Sequence, residues 1–373
     1  MRKYDAEAAA KGLTNRERGA LDVAANLTWR TQAARADFSE YLELVALDPS
    51  GHPVKQGMIH RTWCGHVNWC WLHGLHPNLV APWGAGKTTQ CVVERPPWVF
   101  GSHPQLRVAV VCNIDTNAKL RVAAQERIIH TRRQTQLVFP DLKIAGGKQH
   151  SEFSFSIEGS TGSKVDPSLR AWGLFGGGTG SRVDLLLPDD IVDMNNAIKN
   201  PTLRQKAIDQ MDNVWFPRLE PPCSACDGSG VAGGLVAHAA GNAVACPVCL
   251  GWGGGRSLGV GTMWHAKDYW HDRLRRPGFC TLLQKVDRTR TGYETLVFGV
   301  PKGLRYPTLD ELVMWGNPTA DPLRLLTRLR TENVERVRCL NAARAEQDAT
   351  AGRSRPAAKE LAAGASDPVS LFG

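Results

Sequence analysis

Asn78-Leu79-Val80-Ala81-Pro82-Trp83-Gly84-Ala85-Gly86-Lys87-Thr88-Thr89 is the stretch on which the reading of this chain turns. Asn78 to Ala81 has the length and apolar character of a short buried strand, and Thr88 to Val93 can open a helix. Between them lies APWGAGKT, residues 81–88, ending in Gly86-Lys87-Thr88, the core of a phosphate-binding loop. Such a loop works because successive backbone N–H groups wrap phosphate oxygens while the following helix N-terminus adds a favourable dipole. Lys87 would reach the β- and γ-phosphates, and the Thr88 hydroxyl would ligate Mg²⁺. Ala81 replaces the first glycine of the usual G-x-x-x-x-G-K-[ST] pattern, so the match is deviant.

About a hundred residues on, Val183-Asp184-Leu185-Leu186-Leu187-Pro188 is an apolar run ending in Asp189-Asp190. A buried strand that delivers a carboxylate at its C-terminal end is how nucleotide-hydrolysing folds hold Mg²⁺. Strand, loop, helix and acidic strand occur in the order such chemistry needs, which predicts an NTPase. A glycine-rich turn and an unrelated acidic turn would be the plainer alternative.

The 373 residues suffice for one large α/β domain plus smaller additions. A hydrophobic content of 42% and a charged content of 22% are ordinary for a soluble globular chain. No apolar run approaches the roughly 20 residues that span a bilayer, and MRKYDAEAAAKGLTNRERGA, residues 1–20, is too polar for a signal-peptide core. The expectation is a cytoplasmic protein with no membrane partner. A net charge of +9 favours a polyanionic partner, because each neutralised phosphate releases counterions; a general solubility charge accounts for it equally. Ten cysteines in a cytoplasmic chain argue for metal ligands and buried thiols over disulfides.

Residues 1–59 read as an N-terminal helical arm, with helix over Ala20–Ala36 and Phe38–Val45 and a turn at Asp48–Pro53. Residues 60–76 read as a helix leading into the first strand of a domain covering 60–300. Val108–Cys112 is a buried strand and Ala118–His130 a helix. The alternation of Phe153–Ile157 indicates a half-buried strand that pairs with Leu169–Leu174, ahead of the glycine-rich Gly176–Gly180. Thr202–Trp215 reads as helix, Leu258–Met263 as strand, and Thr281–Val286 with Tyr293–Phe298 as a β-pair. Residues 301–345 form a largely helical C-terminal segment, and 346–373, poor in apolar residues, a disordered tail. Strands alternating with helices imply a mostly parallel sheet covered on both faces.

Cys223-Ser-Ala-Cys226 and Cys246-Pro-Val-Cys249 are two C-x₂-C knuckles separated by nineteen residues, the spacing of a closed four-thiolate Zn²⁺ site. Each is followed by Gly-x-Gly (Gly228, Gly230; Gly251, Gly253), which lets the chain turn so that backbone N–H groups face sulfur. Residues 223–253 are thus expected to be an inserted zinc ribbon, with no ligand role left for His238. The CxxCxGxG repeat resembles the zinc centre of J-domain chaperones over this short stretch only, with no J-domain sequence beside it. A second cluster, His60, Cys64, His66, Cys70, His73 and His76, is interleaved with tryptophans and reads as a packed helix; a second metal site on the His66, Cys70, His73 face is the alternative.

Taken together, the motifs over residues 38–300 resemble the ATPase domain of a phage terminase large subunit, the DNA-packaging motor. APWGAGKTT is similar to that family's phosphate loop, with Trp83 where an arginine is often found. Val108–Ile129 resembles its second strand and helix. GSRVDLLLPDDIVD, Gly180–Asp193, resembles the segment with the magnesium carboxylate, and GTMWHAKD, Gly261–Asp268, the coupling motif, with Met263 replacing the usual arginine.

The resemblance implies an α/β P-loop NTPase of the ASCE type, with a mostly parallel central sheet flanked by helices and the zinc ribbon inserted. ATP would bind to Ala81, Pro82, Trp83, Gly84, Ala85, Gly86, Lys87, Thr88 and Thr89, and Mg²⁺ to Thr88 and Asp189. Asp190 would polarise the attacking water, where many such enzymes use glutamate. Thr262 would sense the γ-phosphate, and Arg182 would serve the neighbouring subunit's ATP as a finger. Its partners would be double-stranded DNA, a portal protein, a small terminase subunit and further copies of itself in a pentameric ring at the procapsid in the host cytoplasm. Arg121, Arg127, Arg132 and Arg133 are candidate DNA contacts, or a solvated helix face. Terminase large subunits usually continue into a nuclease domain, and the residues after 300 are too few for one. DNA cleavage is therefore not expected of this chain, and falls to a separate polypeptide or to a part beyond the ATPase portion. Another DNA-dependent ATPase or helicase, and a zinc-stabilised scaffold with a degenerate nucleotide site, remain the competing readings.

Overall fold

The computed structural model describes residues 27–48, 50–146, 150–160, 166–176, 180–228, 230, 232, 244–287 and 292–315. At its centre is a nine-stranded sheet. The strands are β1 (His76–Val80), β2 (Val108–Cys112), β3 (Ser154–Phe155), β4 (Leu169–Gly173), β5 (Leu185–Asp189), β6 (Arg256–Ser257), β7 (Gly259–Gly261), β8 (Phe279–Asp287) and β9 (Gly292–Phe298). Their order is β3-β4-β2-β5-β7-β1-β8-β9, with β6 also paired to β5. All pairings from β4 to β8 are parallel, and the two edges, β3 on β4 and β9 on β8, are antiparallel.

The centre of the sheet is apolar because both faces are covered. Every residue of β2 and β5 is buried, as a parallel strand between two helical layers requires. Alternate side chains point into different cores. Leu79, Val108, Val110, Leu185 and Leu187 meet the helices Phe38–Val45, Met58–Leu72, Arg95–Ser102 and Asp115–Thr131. Val80, Ala109, Val111 and Leu186 meet the Pro201–Gln210 helix with its continuation to Trp215, and the Tyr269–Arg273 helix.

Several expected elements are shorter or differently wound. The helix after the phosphate-type loop begins at Lys87 and passes at once into a π-helix over Thr89–Val93. The Glu94 N–H donates to Thr89 O at 2.9 Å, and a new helix starts at Arg95. Pro96 and Pro97 have no N–H to continue the earlier ladder, but they fit the first turn of a fresh helix. The Phe153–Ile157 strand contracts to Ser154–Phe155, while Ile157 bridges instead to Ile144.

The two flanking segments join the α/β body where they are described. Phe38, Tyr41, Leu42 and Val45 lie in the larger core. The Leu309–Trp315 helix crosses the Met58–Leu72 helix at Gly65, where a Cβ would overlap the Leu312 carbonyl. Residues 1–26 of the expected arm, the rest of the C-terminal segment and tail, residues 177–179 and His238 lie outside the described residues. Among the described residues no helix is long and apolar enough to cross a membrane, and every described cysteine is free.

Candidate functional site

Three parallel strands side by side, β1, β7 and β5, end at one place. β1 runs into residues 81–88. Gly84 and Gly86 take φ of 80° and 83°, backbone that a Cβ would strain, and a Cβ at Gly84 would meet nothing within 4 Å. Ala81 needs no such freedom. It lies outside the left-handed region and extends the sheet, its N–H donating to Gly261 O at 3.2 Å. The missing first glycine therefore costs the loop nothing in conformation. Pro82 and Ala85 are half-buried, whereas Trp83 is 90% exposed and Thr89 is exposed.

Lys87 is buried and folds back across the loop. Its Nζ donates to Thr262 Oγ1 at 2.9 Å and lies 3.5 Å from Pro82 O. Thr262 follows β7 directly, and its hydroxyl reaches Ala81 O at 3.3 Å. Thr88 Oγ1 donates to Asp189 Oδ1 at 2.8 Å, and Asp189 is the last residue of β5. Lys87, Thr88, Asp189, Asp190 and Thr262, distant in sequence, thus meet at the C-terminal ends of adjacent strands.

Asp190 is held in an unusual conformation, with φ of 42°. Its N–H donates to Val260 O at 2.9 Å, which fixes the residue against β7. Asp tolerates the left-handed region better than most residues, at a cost on the order of 1 kcal/mol or more. Asp190 Oδ1 is buried with no hydrogen-bond partner. Burial first, then the negative charge of Asp189, push the Asp190 carboxyl above its usual range, against the pull of Lys87 and Arg121.

Two residues enter the site that the motifs did not announce. Arg121, two turns into the Asp115–Thr131 helix, donates from Nε to Asp189 Oδ2 at 2.6 Å. Arg121 is thus half-buried in an ion pair and does not belong to a solvated helix face. Burial works against its charge, but the Asp189 carboxylate more than compensates and holds the guanidinium above its usual range. His60 is the second. Its Nε2 lies 3.1 Å from Ala85 O, which can only accept, so Nε2 carries the proton. Burial lowers the His60 pKa and keeps the ring neutral, and Trp63 packs edge-on against it. His60 ties the Met58–Leu72 helix to the loop. Its place in a Cys/His-rich helix gave no hint of this.

Arg182 is exposed and precedes β5, seven residues before Asp189 and at the opposite end of the strand. Within one chain it does not join the cluster. Arg132 is taken by Glu94 at 2.6 Å, while Arg127 and Arg133 are exposed.

The donor set fits the groups the sequence suggests. A hydroxyl and a carboxylate in contact, a buried lysine, and a loop with two left-handed glycines suit a magnesium-bound polyphosphate. Asp190 Oδ1, buried and without a hydrogen-bond partner, keeps its acceptor capacity for a water.

On the ribbon, the ligand atoms of Cys223, Cys226, Cys246 and Cys249 all lie within 4.8 Å of one another. The knuckles repeat each other. Asp227 and Leu250 have φ of 49° and 52°, followed by left-handed Gly228 and Gly251, then Gly230 and Gly253. Gly230 N–H points at Cys226 Sγ at 3.3 Å and Gly253 N–H at Cys249 Sγ at 3.2 Å, as the Gly-x-Gly spacing predicted. The knuckles also clasp each other: Cys246 N–H donates to Gly230 O and Cys223 N–H to Gly253 O. Four thiols so grouped could hold a metal such as zinc.

His66, Cys70 and Cys280 form a second, fully buried group, with Cys280 from β8 where His73 was the alternative. His73 instead turns Nδ1 to Trp69 O at 2.8 Å. His66 Nδ1 is 2.7 Å from the Tyr306 hydroxyl, and Cys70 Sγ is 3.7 Å from both ring nitrogens. A ligating sulfur would sit near one nitrogen's lone pair and far from the other, so the geometry is that of a packed core.

No protein-family model and no curated protein matches this sequence.

Proposed function

We propose that this chain is an ATP-hydrolysing motor subunit of the terminase large-subunit type, which translocates double-stranded viral DNA into a procapsid. One observation carries the reading: Lys87, Thr88, Asp189, Asp190 and Thr262 converge where β1, β7 and β5 end. The sheet order adds support, because a single strand, β7, separates the loop-bearing strand from the acidic one, the arrangement of an ASCE-type P-loop domain.

In this reading the loop's backbone N–H groups and Lys87 bind and orient the ATP phosphates. Lys87 leaves Thr262 Oγ1 for phosphate oxygen, which frees the Thr262 hydroxyl to report that the nucleotide is present. Mg²⁺ held by Thr88 and Asp189 would neutralise charge on the phosphate oxygens. Asp190, with an oxygen lacking any protein partner, holds and orients the attacking water and takes its proton. His60 keeps the loop in place through Ala85. Arg182 lies far from this site in its own chain and is free to reach a neighbouring copy. A homo-oligomeric ring on a portal protein, a small terminase subunit and a nuclease on a separate polypeptide complete the proposal. The net charge of +9 supports a backbone-gripped DNA substrate.

The test is ATP hydrolysis by the purified chain with and without double-stranded DNA, beside Lys87→Ala. Turnover that DNA raises and the substitution abolishes supports the motor. Absence of both nucleotide binding and turnover, with DNA present, defeats it.

A further inference from the structure

Asp189 has two carboxylate oxygens, and both are engaged. Oδ1 accepts from Thr88 at 2.8 Å and Oδ2 from Arg121 Nε at 2.6 Å. The Asp189 side chain is fully buried, and Arg121 is its one cationic partner among the described residues. A buried carboxylate without a counter-charge is costly, so Arg121 pairs with Asp189 and fixes its orientation. The same guanidinium lies where it opposes a second cation. A divalent ion at Thr88 and Asp189 would stand within a few ångströms of a charge of its own sign, in a site where Lys87 is also buried.

We infer that Arg121 is a tethered counter-cation for Asp189, which holds the carboxylate ready before the metal arrives and competes with Mg²⁺ for it. The inference rests on the nucleotide-site reading above and assigns Arg121 as a positioning residue that sets how much Mg²⁺ the site needs. The phosphates of the incoming nucleotide offer the guanidinium alternative acceptors at the same strand ends. Nucleotide and metal then load together, and metal alone binds poorly. Repulsion between a guanidinium and a divalent ion a few ångströms apart costs the ion about tenfold or more in affinity.

The experiment follows thermal melting of the full chain with ADP at fixed concentration and rising Mg²⁺, for the wild type, Arg121→Gln and Arg121→Lys. Without Mg²⁺, Arg121→Gln should melt below wild type, because Asp189 has lost its partner. Mg²⁺ with ADP should narrow that gap, with a midpoint about tenfold lower in Mg²⁺ than wild type. Arg121→Lys, which keeps the charge, should stay close to wild type and shows that the position tolerates change. A gap that Mg²⁺ leaves untouched, or a midpoint unchanged or raised in Arg121→Gln, overturns the inference and makes Arg121 an ordinary structural ion pair. Failure of the broader reading looks different: the wild type itself would show no response to Mg²⁺ and ADP.

Discussion

Thr88 Oγ1 donates to Asp189 Oδ1 at 2.8 Å, joining two segments 101 residues apart in the chain. A hydroxyl at the start of a helix and a carboxylate at the end of a strand meet only if β1 and β5 run parallel and end at the same level. The register delivers this: Val80 pairs with Gly261 of β7, and Asp189 pairs with Val260 of the same strand. β7 is thus the ruler that brings the two halves of the site together.

Lys87→Ala is expected to lower ATP turnover by about 10²-fold or more, the scale for removing one preorganised charge donor from a phosphate site. The fold should survive, because Thr262 keeps its second contact at Ala81 O. A steady-state ATPase assay with circular dichroism on the same sample checks both halves. An unfolded variant, or one that hydrolyses normally, would contradict the assignment.

Asp190→Asn is expected to abolish turnover while leaving the chain as stable as wild type or more so at neutral pH. Asparagine also tolerates a left-handed φ, and it ends the conflict between burial and charge. The sign follows from linkage. With its folded pKa raised above the ordinary 3.8, Asp190 binds its proton more tightly folded than unfolded. It therefore costs stability as pH rises through and above that window, and nothing below it. The advantage of Asp190→Asn should shrink as pH falls toward 4, which melting curves across pH 4–8 would show.

Much of this was legible in the sequence, and the limits have physical causes. β2, β5 and the loop announced themselves because a fully buried parallel strand must be apolar and a phosphate loop must carry small residues. Gly-x-Gly after each knuckle forecast N–H groups aimed at sulfur, and Gly230 and Gly253 supply them. The pairing of Arg121 was hidden because an arginine on a helix looks the same whether it faces water or a carboxylate 68 residues away. His60 was hidden for a similar reason: its partner is a backbone carbonyl, which leaves no side-chain pattern. The π-helix over Thr89–Val93 depends on where two prolines force a new start, and periodicity does not register that.

Gly261→Ala is expected to destabilise the chain by about 1–3 kcal/mol, the cost of overpacking a filled core. A Cβ there would run into the indole ring of Trp270, itself fully buried under β7. Relief requires β7 or the Tyr269–Arg273 helix to move, and Thr262 is the next residue. Nucleotide affinity should therefore fall together with Tm, whereas Leu137→Ala, at an exposed position of the Arg133–Val138 helix, serves as a control that leaves affinity unchanged.

The purified chain is expected to carry one zinc. Cys226→Ser should abolish it, and Cys70→Ser should leave it in place. Four thiols in a reciprocal clasp can neutralise and enclose the ion, whereas the imidazole between Cys70 and Tyr306 is occupied by hydrogen bonds. Zinc loss should be felt beyond the knuckles, because Trp252, three residues after Cys249, is buried against Trp71 and bonds Asp184 O at 3.2 Å. Metal content by mass spectrometry and tryptophan fluorescence during chelation test these points together. A second zinc that Cys70→Ser removes would make His66, Cys70 and Cys280 a ligand set, and an unchanged tryptophan signal on chelation would uncouple the ribbon from the body it sits on.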